Sequence, residues 1–352
     1  MITMHPMIED LYEKYCLLPP LDLDDSDLDV HLEKWQDYVQ LSLMDFARIV
    51  ALVVTHSDLN SLVNSGVDLD YDNLAPVITL LHNTGHLHFT NRINYSVSGL
   101  PMPLKIKRAL PSIPIYSTPT TCYNQFPCTE TSRIKRVVKL VADYPYVSSM
   151  QVGLLGDDDL LSIEIASYTP FEVTVVEKDE RVIDSINKYK HAKGLNIEII
   201  EGDLSDDLNI DAIFDTFITD PPYTFYGVLW FIFNGLNLLQ TKDRVYLIAN
   251  QMMLGNRVMS SLFRSLGIAG LFPVEITPAF SQYPLPNHYR ESLDWKSALV
   301  NMGGAPTRRM MSSTSTLFVM QSRFSDAKLL KPFIEQHHDI FTRYVVWSDG
   351  EK

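Results

Sequence analysis

From residue 150 onward the chain alternates short apolar runs with helical periods, and no other feature restricts its fold as strongly. Runs at 150–156, 172–177, 197–200, 214–219 and 245–249 read as strands. Helical periods fill 160–168, 181–193 and 226–238 between them. A strand–helix repeat of this kind builds a doubly wound parallel sheet, with its ligand crevice at the carboxyl ends of the strands. Two later runs, 272–277 and 316–321, read as an antiparallel closing pair. The fold class is α/β, in the Rossmann-like form used by S-adenosylmethionine-dependent transferases.

The first hundred residues have a different character. They hold 15 acids and 4 bases, a net of −11, so only −3 of the whole-chain charge of −14 lies beyond them. A helical period runs through Met44, Phe46, Ile49, Val50 and Val53. Ser57-Asp58 caps a short helix, and Asp72-Asn73 caps a third with Leu74, Val77, Ile78 and Leu81 on one face and Gly85 as its stop. Residues 86–97 alternate as a small hairpin. Three helices and a hairpin suggest a winged-helix-like domain over 1–98, followed by a Pro-rich linker over 99–122 and a catalytic domain over 123–352. The third helix has acids and no Lys or Arg, so a DNA-reading role would lack phosphate anchors. Packing or homodimerisation is the expected role, and no nucleic-acid partner is expected. His82, His86 and His88 read as ordinary surface residues.

Three cysteines, Cys16, Cys122 and Cys128, fit neither a disulfide framework nor a four-ligand zinc site and suit a cytoplasmic protein. No signal peptide, membrane span or membrane partner is expected from the sequence.

The chemistry gathers at the predicted strand ends. Glu177 closes the second strand, where a carboxylate can accept from both ribose hydroxyls. Asp203 follows the third strand and is placed to accept from an adenine amine. After the first strand, a nucleotide-binding fold normally has a glycine-rich turn; here Gly156 is followed by Asp157, Asp158 and Asp159. Three carboxylates would repel the carboxylate of S-adenosylmethionine. They would attract the terminal ammonium of its decarboxylated form. Gly156 and Asp157 are therefore read as donor contacts.

The fourth strand ends in Asp220-Pro221-Pro222-Tyr223. The Asp220 carboxylate and the Pro221 carbonyl can accept from a substrate nitrogen, the prolines stiffen the turn, and the Tyr223 ring can stack on a base or face a cation. An amine freed of its proton can attack the carbon attached to sulfonium. Sulfonium is a good leaving group, so positioning and electrostatics suffice and no metal is required.

Four segments together resemble the branched-chain polyamine synthases, the N4-bis(aminopropyl)spermidine synthases. They are Tyr123-Asn124-Gln125-Phe126, Thr129-Glu130-Thr131, Gly156-Asp157-Asp158-Asp159-Leu160 and residues 214–222 through Asp220-Pro221-Pro222. The resemblance runs from about Tyr123 to Gln321 and implies aminopropyl transfer from decarboxylated S-adenosylmethionine to a polyamine nitrogen, releasing methylthioadenosine. It implies that Asp158 or Asp159 accepts the proton, with Asp220 beside the reacting nitrogen. Tyr123 and Gln125 would fold over the crevice, and Gln282 and Tyr283 would contact the acceptor. Two positions depart from the family pattern: Tyr223 stands where an acid follows Asp-Pro-Pro, and Gln282 stands in place of Glu. Both remove negative charge near the acceptor, which opens the site to a less cationic or aromatic amine. The alternatives are an S-adenosylmethionine-dependent N-methyltransferase, or transferase of another part of that cofactor, acting on a different amine, and a non-enzymatic winged-helix ligand sensor.

Overall fold

The computed structural model describes residues 2–18, 41–65, 71–106, 127–208, 210–211, 213–284 and 312–335. The chain divides into two units, one of residues 2–107 and 138–149, the other of residue 1, 108–137 and 150–352.

The first unit opens with β1 (Thr3–Met4) and α1 (Pro6–Cys16), which buries Ile8, Leu11 and Tyr15. Pro6 opens the helix, where its missing N–H costs nothing, and the His5 ring accepts from the Met7 amide. Next come α2 (Leu43–Thr55), capped by Ser42, α3 (Leu59–Val63), capped by Asp58, and α4 (Tyr71–Asn83). Asp72 and Asn73 fall inside the first turn of α4, because that helix starts at Tyr71. Gly85, at φ 76°, ends the turn after it, and β2 (Leu87–Phe89) pairs antiparallel with β3 (Tyr95–Val97). The expected three helices and hairpin are present, preceded by α1, which the sequence reading passed over. The three histidines do not converge as ligands: the His82 ring lies 3.0 Å from the Leu87 carbonyl and the His86 ring 3.1 Å from that of Ser98. The division between the units falls inside α5 (Glu130–Asp143), after which β4 (Val147–Ser149) pairs with β1.

The second unit is built on β5 (Gln151–Leu155), α6 (Leu161–Tyr168), β6 (Glu172–Glu177), α7 (Glu180–Lys193) and β7 (Ile197–Glu201). It continues through β8 (Thr216–Thr219), α8 (Phe225–Asn237), β9 (Arg244–Ala249), α9 (Gln251–Ile268), β10 (Phe272–Pro284) and β11 (Ser312–Gln321). These strands form one seven-stranded sheet in the order β10-β11-β9-β8-β5-β6-β7. Strands β5 to β9 are parallel, and β11 runs antiparallel to both β9 and β10. This is a mostly parallel α/β sheet with an antiparallel closing pair. The chain leaves β5 toward one edge and returns at β8 toward the other, so the strand order reverses between them and their carboxyl ends flank the crevice.

The β5–β8 centre is rigid for packing reasons. Leu155, Phe214, Phe217, Val228, Leu229 and Ile232 are fully buried in one core. Each such side chain contributes roughly 1.5–3 kcal/mol of burial. Close backbone approach is required too: a Cβ on Gly153 would stand 2.5 Å from the Phe214 ring, and one on Gly235 2.5 Å from Phe217. Asn234, buried in α8, donates to the Leu204 and Asp206 carbonyls at 3.0 and 2.9 Å and accepts from the Leu208 amide at 3.2 Å. It thereby pins the loop after β7 that carries Asp203.

Candidate active site

Gly156 turns the chain out of β5 at φ 74° and donates to the Val176 carbonyl at 2.9 Å. The Asp157 carboxylate then folds onto the start of α6. It accepts from the Leu161 amide at 2.7 Å, the Ser162 amide at 3.3 Å and the Ser162 hydroxyl at 2.5 Å. A carboxylate at a helix N-terminus satisfies free amides and suits the helix dipole. The sequence places Asp157 as a donor contact; in the structure its carboxylate caps α6, and its amide donates to Glu177 Oε2 at 2.9 Å. Leu160 follows in the left-handed region at φ 54°, a strained conformation for a branched side chain.

The remaining two acids of the turn differ. Asp159 is buried: Oδ2 accepts from Arg136 Nη1 at 2.6 Å, and Oδ1 accepts from the Cys128 amide. Asp158 is only partly buried. Its carboxyl is pushed well above the usual range, first by desolvation and then by Asp159, Asp220 and Glu177, with Arg136 opposing. A carboxyl held back from ionising is suited to proton exchange near neutral pH.

The turn after β8 supplies Asp220 and Pro221. Asp220 Oδ1 accepts from the Tyr223 hydroxyl at 2.9 Å, and Oδ2 accepts from Arg136 Nη2 at 2.8 Å and the Tyr283 hydroxyl at 2.5 Å. Burial raises the Asp220 carboxyl, Arg136 lowers it, and Asp159 raises it again. Pro221 is buried beside it. The Tyr223 hydroxyl also lies 2.7 Å from Ser315 Oγ, so this residue meets Asp220 through its phenol. Desolvation and the Asp220 charge push both phenols well above their ordinary value, which keeps them neutral donors.

Tyr283 arrives through a bulge. Thr277 pairs with Leu317 but Ser281 pairs with Ser315, so β10 carries surplus residues there, and Ala279 takes φ 53°. Beyond the bulge Ser281 and Tyr283 are buried, while Gln282 and Pro284 are exposed. Strand alternation thus sends Gln282 to the face opposite Tyr283. The Gln282 backbone carbonyl accepts from Thr129 and its amide donates to Ser132 Oγ, both at 2.8 Å, while its side chain, expected to contact the acceptor, is exposed. Tyr123 and Gln125 lie outside the described residues.

Arg136 joins the pieces. Its guanidinium reaches Asp159, Asp220, Ser281 Oγ at 3.1 Å and the Tyr283 hydroxyl at 2.9 Å, with the side chain 3% exposed. Burial works against its charge, but the two carboxylates it meets, Asp159 and Asp220, outweigh that and hold it protonated. Neither Arg136 nor the Cys128 amide was singled out from sequence. A purely apolar reading of this helix puts Ile134, Val137, Val138 and Val141 inside. In the structure Val138 is 49% exposed, whereas Arg133 and Arg136 are buried. The available signal was the spacing of Arg133, Arg136, Val137 and Leu140, a helical stripe with two arginines in it.

At the donor end, Glu177 accepts from the amides of Asp157, Lys178 and Asp179 at 2.9, 2.8 and 2.9 Å. Burial raises its carboxyl, and those amides oppose the rise. Asp203 accepts from Lys178 Nζ at 2.6 Å and from the Ser205 amide and hydroxyl at 2.9 and 2.6 Å. Burial opposes its ionisation, but the hydrogen bonds from Lys178 and Ser205 prevail and hold it below the ordinary value. Glu177 and Asp203 therefore close adjacent strand ends, with Lys178 linking the two loops. Among the described residues, no cluster of three His, Cys, Asp or Glu side chains has the geometry of a metal site.

The family profile described as "Branched-chain polyamine synthase A C-terminal domain" matches residues 116–327, more than half of the chain. An uncharacterized protein of Methanocaldococcus jannaschii is 29% identical over 167 residues, 47% of this chain and 42% of that protein. The N(4)-bis(aminopropyl)spermidine synthase of the same organism is 42% identical over 97 residues, 26% of this chain and 28% of that enzyme. Its namesake from Thermococcus kodakarensis is 35% identical over 126 residues, 35% of this chain and 36% of that enzyme. The matches thus span less than half the length of these relatives. A solved Thermus thermophilus branched-chain polyamine synthase, in complex with N4-aminopropylspermidine and 5'-methylthioadenosine, aligns at a TM-score of 0.49 and 20% identity. That alignment covers 86% of this chain and 95% of the other.

Proposed function

We propose an activity from the premise that this chain belongs to the branched-chain polyamine synthase A family, whose C-terminal domain profile covers residues 116–327. The activity is transfer of an aminopropyl group from decarboxylated S-adenosylmethionine to an amine nitrogen of a polyamine-like acceptor. The observation that carries it is the juxtaposition of two acidic turns, Asp158-Asp159 after β5 and Asp220-Pro221 after β8, on either side of the topological switch point.

In this reading Glu177 takes the ribose hydroxyls and Asp203 the adenine amine, with Gly156 giving close backbone approach. Asp158 and Asp159 draw in the donor's ammonium. Asp220 and the Pro221 carbonyl orient the acceptor nitrogen, whose lone pair attacks the carbon bonded to sulfonium. The C–S bond breaks, its electron pair stays on sulfur as methylthioadenosine, and the nitrogen's proton passes to a carboxylate of the Asp turn. Tyr283 and Tyr223 line the acceptor side, and Tyr123 and Gln125 would close over it. No metal is required. The scattered cysteines suit a cytoplasmic enzyme, and the acidic N-terminal unit suits a winged-helix-like packing or dimerisation module.

Calorimetry with the two forms of the donor tests this reading. The decarboxylated form should bind more tightly, because the acids at the β5 turn face its ammonium. Tighter binding of S-adenosylmethionine itself would favour an N-methyltransferase instead.

A further inference from the structure

We propose that Arg136 is a positioning residue for the transfer, a guanidinium clamp that holds Asp159 and Asp220 at fixed separation and orientation across the crevice. This rests on the aminopropyltransferase reading and adds to it a residue outside both acidic turns.

Three observations carry the proposal. First, the guanidinium's bonds all end in the site: Nη1 on Asp159, Nη2 on Asp220 and Tyr283, and Nε on Ser281 at 3.2 Å. Second, the two carboxylates it joins belong to turns that leave adjacent strands, β5 and β8. Third, Arg136 is almost wholly buried. Buried ionic clusters are costly to desolvate, and apolar replacements of similar volume often leave stability unchanged or raise it. Packing alone therefore does not require an arginine here, whereas a rigid fork matched to two carboxylates has a geometric use.

The groups facing Arg136 set its effect on pH. They are Asp158 and Asp159 after β5, Asp220 after β8, Tyr223 ahead of α8, Tyr283 on β10 and Cys128 ahead of α5. The two tyrosines and the cysteine are neutral at physiological pH, so the guanidinium is the one cation among these groups. Removing it should make Asp158 and Asp220 harder to ionise and move the acid limb of the rate profile to higher pH.

The test compares Arg136→Met and Arg136→Lys with the parent, using decarboxylated S-adenosylmethionine and spermidine. Arg136→Met should lower kcat by about 100-fold, the scale expected for misplaced reacting groups. The donor KM should change little, and the acid limb should shift upward in pH. Arg136→Lys should return the acid limb toward its parental position, because charge is restored, while kcat stays low because an ammonium has no fork. Parental kcat and pH profile in Arg136→Met would overturn the proposal, as would identical profiles for the two variants. If Arg136→Met does not fold by circular dichroism, Arg136→Lys decides through its kcat, a parental value overturning the clamp. If the parent transfers nothing to any amine, the proposed function fails. The clamp is then decided by 13C NMR of aspartate-labelled protein, where unchanged titration of Asp220 in the folded variant overturns it.

Discussion

Arg136 donates to Asp220 across 2.8 Å, joining a helix that precedes the sheet to the turn that ends β8. The same side chain holds Asp159 at 2.6 Å, so two acids far apart in sequence become one electrostatic unit. Its consequences are measurable at several residues.

Asp158→Asn should lower kcat by roughly 10²–10⁴-fold, the usual contribution of a positioned general acid or base. Donor binding by calorimetry should weaken far less than kcat falls, because Asp159 still faces the donor's ammonium. Asp159→Asn should resemble it in direction and also loosen the Arg136 contact. Full activity in both variants would remove the Asp turn from the proton-transfer step.

Asp158 should also cost stability at neutral pH. Its folded carboxyl titrates well above the ordinary value, so between the two values the folded state holds more protons than the unfolded state. Stability then falls as pH rises through that window. Asp158→Asn should raise the melting temperature at pH 8. The gain should vanish below about pH 4, where the carboxyl is protonated in both states. An equal gain at both pH values would exclude ionisation as its cause.

Asn234→Leu should leave the Leu204 and Asp206 carbonyls and the Leu208 amide without their present partner. The loss of stability should be about 1–3 kcal/mol for a buried group left unsatisfied. Because this loop carries Asp203, donor KM should rise while kcat holds. A melting curve and steady-state kinetics check both parts.

Gly153→Ala would place a methyl 2.5 Å from the Phe214 ring. Overpacking of this kind costs about 1–3 kcal/mol. Phe214→Leu in the same chain should recover part of the loss, and denaturant titration of the single and double variants reads the coupling.

Much of the sheet was legible because its signals are local. Runs such as Val173-Thr174-Val175-Val176 and the helices between them declare their periods within a few residues, and Glu177 and Asp220 stand at strand ends by count alone. The missed elements have local reasons as well. Helix α9 is broken at Gly255, where φ is 74° and ψ 156°, which interrupts its period. Helix α1 is short, and its buried Ile8, Leu11 and Tyr15 are set among charges. Arg136 was hidden for a different reason: its burial is affordable only because Asp159 and Asp220 meet it, and no local pattern reports a partner so distant in sequence. Asp157 and Gln282 show the complementary limit. Residue type marked the acidic turn, but the strand expected to end at Thr277 runs on to Pro284, and which way each side chain faces is set by the helix cap at α6 and by the bulge at Ala279.

Mass spectrometry of an amine panel, including spermidine, incubated with the protein and decarboxylated S-adenosylmethionine decides whether the aminopropyl group is transferred. Aminopropyl transfer gives an acceptor that gains one C3H7N unit per transfer, with methylthioadenosine released in equal amount. No such gain on any amine, together with a methylated product when S-adenosylmethionine is supplied instead, would contradict it.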